Sequence, residues 1–471
     1  MSTIASNVTL DALFRRNATL RGDLRALHDL DGTSLSYTET ANAVAHVTEQ
    51  IAALGLPANS TIALLLPNGR ELIVATLAVM RSGHLVVPMP VAWRKSDLVR
   101  ACREAEVTAL ITTANFAAER LPELAAEVAI DVFELSFPCA FGAALPDGLL
   151  SLPFDTQSEP LLANTSLGNT PSPGIGTLEP STGGVRLVLH TDDELLAAGL
   201  GAMLAGDIRG GDAIVSAISF TTFAGLTAAL VPWLLCSGTL TLLPDFPERV
   251  LSETDRNTHL IASTGSLAAL AASMPTAIAS AFAVHYAGVE PVTAFPALNA
   301  ENIVDVIAIG EVAAIALPRS ERSLAAALPI GAVHAGNAGA GSPVVIETRV
   351  SDNLLEIRGA IVSKDILGGA DWLETGFTTA PHGSGRVYVT APDELLTIGA
   401  LSFNCSDLER RIRAAALVSE VYAVSDPILG ARLIIATDRP TDTARALLDA
   451  GLPRIVAGAA QKIHTSRAIA S

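Results

Sequence analysis

An α/β fold is predicted, with a large N-terminal domain of mixed α/β subdomains that includes a strand-rich one, followed by a small α+β C-terminal domain. Three observations predict it. From Leu24 to Thr112 short apolar strands alternate with amphipathic helices, the pattern of a parallel sheet covered on both faces. From Pro329 to Thr390 the strands shorten and crowd together, as in VVIETRV, LLEIRG and GRVYVT. Beyond Pro392 a helix, two alternating strands and another helix form a separate block. The domains are therefore drawn at 1–391, with the strand-rich part at about 329–391, and at 392–471. A chain of 471 residues, half of them hydrophobic, is too long for one ordinary core.

Taken in order, Asp11–Asn17 begins an amphipathic helix, and Leu24–His28 and Ser34–Tyr37 form a hairpin around Asp31-Gly32. Thr38 is expected to cap a helix that runs to about Leu54 and stops at Gly55. Thr61–Leu66 is a continuous apolar strand. Then come the helix Arg70–Ser82, the strand Leu85–Pro88, the helix Ser96–Glu104 and the strand Val107–Thr112. Between Asp155 and Gly184 the chain turns to Ser, Thr, Pro, Gly and Asn and reads as irregular. A helix follows over Asp192–Leu204. From Ala213 to Pro244 there is no charge, yet Pro232 and the scattered Ser, Thr and Gly favour a buried helix and strand over a membrane span.

Composition excludes some functions. A formal charge of −18, with no local basic cluster, opposes binding to nucleic acid. Cys102, Cys139, Cys236 and Cys405 are too widely spaced for a zinc site or a disulfide framework, and no secretory signal opens the chain, so a reducing cytoplasm is expected. His259, His285 and His334 stand singly in apolar runs and read as core or rim residues.

The most informative stretch is GTLEPSTGGVRLVLHTDDELL, Gly176 to Leu196. Ser181-Thr182-Gly183-Gly184 followed by Arg186 has the make-up of a phosphate cradle, because small residues let backbone amides approach an anion and a cation adds charge. Glu179 and Pro180 run against that chemistry: one brings a negative charge to short range and the other lacks an amide hydrogen.

Several segments in the same order resemble the AMP-forming acyl-CoA synthetase family, part of the adenylate-forming superfamily. They are LSYTETANAVAHVTEQIAALGLPANSTIALLLPNGRELIVATLAVMRSGHLVVPM, PWLLCSGTLTLLPDFPERVL, LLEIRG, DWLETGF, DELLTIGALSFNCSDLERRI and VYAVSDPILGARLIIA. The resemblance spans essentially the whole chain. It implies an AMP-dependent acid–thiol ligase that joins a small carboxylic acid to AMP from ATP with Mg²⁺, then passes the acyl group to CoA or a carrier-protein thiol. An acyl carrier protein or a partner enzyme is the implied macromolecular partner.

By the same resemblance the nucleotide would meet Ser181, Thr182, Gly183, Gly184, Glu311 and Glu374, and Glu311 would be the metal contact. Arg186 and Lys462 stand for the family's two lysines. The acyl pocket would fall on Phe220, Phe223, Gly225, His285, Gly288 and Ile309. Four departures remove ATP-facing chemistry. Phe377 replaces the carboxylate that accepts the ribose hydroxyls, Ala391 an arginine, Ala313 a glutamate, and the chain stops before the terminal Gly-Lys. A ligase with an eroded ATP site is therefore expected. The alternatives are a non-catalytic protein of the same fold that binds an acyl ligand or a partner, and one that performs only the thiol transfer.

Overall fold

A computed structural model describes residues 8–462 except 30, 115, 117–119, 143, 158–171, 244–253, 271–275, 290–294, 296–297, 338–341 and 384. Among the described residues the strands gather into five sheets. The first, from one edge to the other, runs Leu150–Leu152, Phe137–Phe141, Val107–Thr113, Thr61–Leu64, Leu85–Pro88, Ile175–Ser181 and Gly184–His190. Its central strands are parallel and their side chains are almost wholly buried, because the crossover helices Arg70–Arg81 and Lys95–Glu104 return over the sheet.

The second sheet has eight strands, in the order Ala313–Pro318, Ala300–Ile309, Ile278–His285, Thr258–Ser263, Ala213–Ser216, Thr239–Leu242, Arg25–His28 and Ser34–Ser36. It is parallel from Ala300–Ile309 through Arg25–His28 and antiparallel at both edges. The uncharged run thus supplies a strand, the helical stretch Phe223–Cys236 and a second strand, one strand more than the sequence suggests. Among the described residues no helix is long and apolar enough to cross a membrane. The chain is poor in aromatics, yet Phe14, Tyr37 and Trp233 gather in one core cluster, with Tyr37 and Trp233 stacked at 6.0 Å. Tyr37 Oη and Trp233 Nε1 both donate to Gly238 O, at 2.8 and 3.0 Å, so the buried polar tips are satisfied.

The strand-rich stretch forms a six-stranded antiparallel sheet between Leu328 and Thr390. Two smaller sheets and the helices Cys405–Ala415 and Pro440–Asp449 follow. The helix Cys405–Ala415 is tied to Lys95–Glu104 by Arg411 on Asp97 at 2.7 Å and Arg100 on Asp407 at 3.0 Å. Ser96 Oγ also donates to Gly451 O at 2.6 Å.

Local details differ from the expectation where side-chain capping decides. Ser36, not Thr38, caps the second helix, in a reciprocal box with Glu39, so Tyr37 opens the helix instead of ending the strand. Part of the stretch read as irregular, Ile175–Ser181, is a strand, because Ile175, Thr177 and their neighbours find partners across a hairpin. Residues 158–171 of that stretch lie outside the described part.

Candidate functional site

The hairpin Ile175–His190 positions the site. At its base Ile175 pairs with Val86 of the first sheet, while its far end runs free of that sheet. The antiparallel ladder continues through Leu178↔Leu187, Glu179↔Arg186 and Pro180↔Val185 to Ser181↔Gly184, leaving Thr182-Gly183 as a two-residue turn. Thr182, Gly183 and Arg186 are exposed, and Ser181 and Gly184 half-buried. The hairpin ends in the helix Asp192–Ala205, where Thr191 and Glu194 form a capping box. The second oxygen of Glu194 accepts from Lys364 N at 3.0 Å, and Ser363 Oγ donates to Leu189 O at 2.8 Å, which fixes the hairpin against the connection into the six-stranded sheet.

Facing the hairpin is the tight turn Gly310-Glu311-Val312 between Ala300–Ile309 and Ala313–Pro318. Gly310 has φ +52°, and a Cβ there would collide with Glu179 Oε1. Glu179 Oε1 accepts from Glu311 N at 3.3 Å, and Glu179 Oε2 pairs with Arg186 Nη2. The Glu179 side chain is 17% exposed and that of Arg186 is 49% exposed. Glu311 turns its own carboxyl inward, where Oε2 accepts from Phe223 N at 2.6 Å. Burial, with the Glu179 charge adding to it, raises the Glu311 carboxyl from its ordinary 4.5 to about 8, against the lowering effect of the Phe223 amide and the Thr177 hydroxyl.

Beneath these carboxyls lies a polar cluster. Thr177 Oγ1 and His190 Nε2 share a hydrogen bond of 2.9 Å, and His190 stacks on Phe223 with ring centroids 4.3 Å apart. His190 is fully buried, which depresses its pKa from 6.5 to about 3, and its Nδ1 has no hydrogen-bond partner. Tyr286 Oη lies 3.5 Å from Thr222 Oγ1, and the latter caps Gly225 N at 3.1 Å. Among the described residues no group of three or more His, Cys, Asp or Glu could hold a metal ion.

The structure thus brings Glu179, Arg186 and Glu311 together, with Phe223 donating to Glu311 from below, whereas Gly184 lies against Arg100, and Pro180, Gly184 and Val185 line a cleft with Asp407 and Arg411. Phe220, Phe223 and Ile309 are closely packed, at 1%, 0% and 0% exposure. His285 is engaged elsewhere, with Nε2 on Asp305 at 2.7 Å and Nδ1 3.2 Å from Thr264 Oγ1, inside a buried network completed by Arg319. Gly288, at φ +94°, bridges to Thr390, and the flanking Val289 N and Ala391 N donate to Val389 O and Ala287 O. Glu374 is exposed and lies opposite Glu356 in the six-stranded sheet. Lys462 is exposed at the end of a carboxy-terminal strand, opposite Thr437. Phe377 is only 2% exposed and is part of the main core.

Sequence reasoning passed over Thr177, Thr222 and Tyr286. Thr177 was legible as the residue two before Glu179, on the same face of a strand, but only once that stretch is read as a strand.

The chain carries the adenylate-forming fold. The amide bond synthetase McbA from Marinactinospora thermotolerans is similar at TM-score 0.66 and 16% identity, with 96% of this chain and 95% of that one covered. The anthranilate CoA ligase AuaEII in complex with anthranoyl-AMP is similar at TM-score 0.65 and 16% identity, over 95% and 92% of the two chains. Apo MbtA from Mycobacterium smegmatis is similar at TM-score 0.66 and 16% identity, over 95% and 90%. The family model described as AMP-binding enzyme matches residues 14–144, the stretch holding the first parallel strands. No curated protein matches the chain in sequence. Within the adenylate-forming fold, the hairpin and the Gly310 turn face each other across the first two sheets.

Proposed function

We propose that the chain is a non-adenylating relative of the AMP-dependent acid–thiol ligases: an adenylate-forming fold that binds a carboxylic acid, an acyl group or a partner enzyme but has lost activation by ATP. The observation that carries this reading is the closed hairpin. Its ladder runs to Ser181↔Gly184, so the amides a phosphate cradle would offer are largely committed to strand pairing, and a two-residue turn is left.

As arranged, these residues do not fit a magnesium-bound nucleoside triphosphate. The Glu179 carboxylate occupies the space where phosphates need donors, and it engages both the Glu311 amide and the Arg186 guanidinium. At the ribose position the resemblance points to Phe377, a buried ring with no acceptor. Of the residues proposed to line the acid pocket, Phe220, Phe223 and Ile309 are fully packed, so an acid would enter beside them only with rearrangement of Phe223, while His285 is held in the Asp305–Arg319 network. The four cysteines are free thiols, in keeping with a cytoplasmic protein.

A second reading, an acid–thiol ligase working weakly with ATP, Mg²⁺ and CoA or a carrier-protein thiol, is favoured by the half-exposed Arg186 beside the exposed Thr182-Gly183 turn. Pyrophosphate release, measured on the purified chain with ATP, Mg²⁺ and a panel of aliphatic and aromatic acids, separates the two. The proposal predicts no release above the protein-free rate. Release that depends on one of the acids overturns it.

A further inference from the structure

We propose that Glu179 is a resident stopper in an oxyanion seat made by the Glu311 amide, the left-handed Gly310 turn and the Arg186 guanidinium, and that the seat accepts a small external oxyanion once this side chain is displaced. The inference rests on the non-adenylating reading and explains which group closes the site.

Three features give Glu179 the position of a bound ligand. Its Oε1 lies against the backbone at Gly310, whose positive φ favours a glycine and lets the carboxylate oxygen approach the turn closely. The same oxygen takes the Glu311 amide at 3.3 Å, the kind of turn amide that binds anions. Its other oxygen takes Arg186 directly across the ladder, a charge-assisted contact. Glu179 does not serve the core: Leu178 packs into a core cluster on the opposite face of the strand, while Glu179 pairs with the half-exposed Arg186.

An intramolecular carboxylate competes at an effective concentration far above that of a free anion, typically in the millimolar range or higher for short tethers. The stopper therefore excludes external anions without any change in the seat. With Glu179 removed, Arg186 and the Glu311 amide lose their partner and become donors for phosphate, pyrophosphate or a carboxylate. Beneath the seat the Glu311 carboxyl is turned away to Phe223 N, and burial keeps its proton on at neutral pH, so it adds no opposing charge. Arg186 is the cation the seat retains.

Glu179→Ala, Glu179→Gln and the double variant Glu179→Ala/Arg186→Ala test this by titration calorimetry with inorganic pyrophosphate, inorganic phosphate and acetate as separate probes. Circular dichroism and a thermal midpoint report folding. The expected result is binding of at least one probe to Glu179→Ala about tenfold or more tighter than to the wild type, lost again in the double variant. A ranking of pyrophosphate over acetate marks the seat as a phosphate site, and the reverse as a carboxylate site; either order supports the stopper. Should Glu179→Ala not fold, Glu179→Gln, which keeps the size of the side chain but removes its charge, is expected to show a smaller gain in the same direction. A folded Glu179→Ala or Glu179→Gln that binds every probe as the wild type does overturns the inference, and so does a gain that survives loss of Arg186. Turnover of ATP by the wild type would instead overturn the functional proposal, so the two failures are distinct.

Discussion

Replacing Glu311 by glutamine should abolish a loss of stability that the wild type suffers as the solution becomes alkaline. The folded Glu311 carboxyl titrates near 8, against 4.5 ordinarily, because it is drawn inward to Phe223 N with Glu179 beside it. Between those values the folded chain holds the proton that the unfolded chain gives up. The Glu311 contribution is therefore complete below pH 4.5 and disappears as the pH rises through 8. His190 has the opposite sign: with a folded value near 3 against 6.5, its contribution is complete above pH 6.5 and disappears as the pH falls toward 3. From pH 6.5 to 8 the His190 term is flat, so Glu311 dominates that window among these two groups. A pH interval of about one and a half at about 1.4 kcal/mol per pH unit gives a loss of about 2 kcal/mol, reduced where water reaches the half-exposed turn. The Glu311→Gln side chain would keep an oxygen for the Phe223 amide and an amide group for Thr177, so its packing should match. Urea denaturation followed by tryptophan fluorescence, with Trp233 in the core, reads the midpoint at each pH. Relative to Glu311→Gln, the wild type should weaken by about 1–2 kcal/mol between pH 6.5 and 8. Parallel curves for the two proteins over that interval would refute the buried-proton account.

Other perturbations probe the scaffold. Phe377→Asp restores the carboxylate type of the resemblance but puts a charge at a site 2% exposed, so it should cost about 3 kcal/mol or more and confer no ATP binding, as thermal melting and calorimetry would show. Arg319→Leu removes the guanidinium that donates to Asp305 at 2.6 and 2.8 Å, leaving that fully buried carboxylate, among the described residues, with His285 and Ala326 N; a loss of about 3–5 kcal/mol is expected from the denaturation midpoint. Asp97→Asn weakens the tie from Arg411 and should raise amide exchange in Cys405–Ala415 while leaving Thr61–Leu64 unchanged, a difference of about 1–3 kcal/mol in local opening read by mass spectrometry.

Much of the fold was legible because long-period patterns carry it. The apolar strand Thr61–Leu64, its crossover helix and the antiparallel run ending in RVYVT are each encoded within a short stretch of chain. The site was legible only in part. Ser181 to Arg186 was found from residue type, and Glu179 was noticed as a charge out of place, but its role depends on the turn at Gly310 and Glu311, the latter 132 residues further along the chain. A single sequence does not show which distant turn a carboxylate meets. The same holds for His285: an isolated histidine in an apolar run gives no sign that Asp305 and Arg319 will close around it. Ser36 beat Thr38 as a cap for a local reason, since only Ser36 stands three residues before Glu39.

Glu179 and its neighbours, on the reading proposed above, close the space where a nucleotide would sit. Equilibrium binding of ATP with Mg²⁺ to the wild-type chain, by isothermal titration calorimetry in low salt, tests it most directly. No saturable heat is expected up to millimolar ATP, and a one-to-one isotherm with micromolar affinity would overturn the closed-site reading.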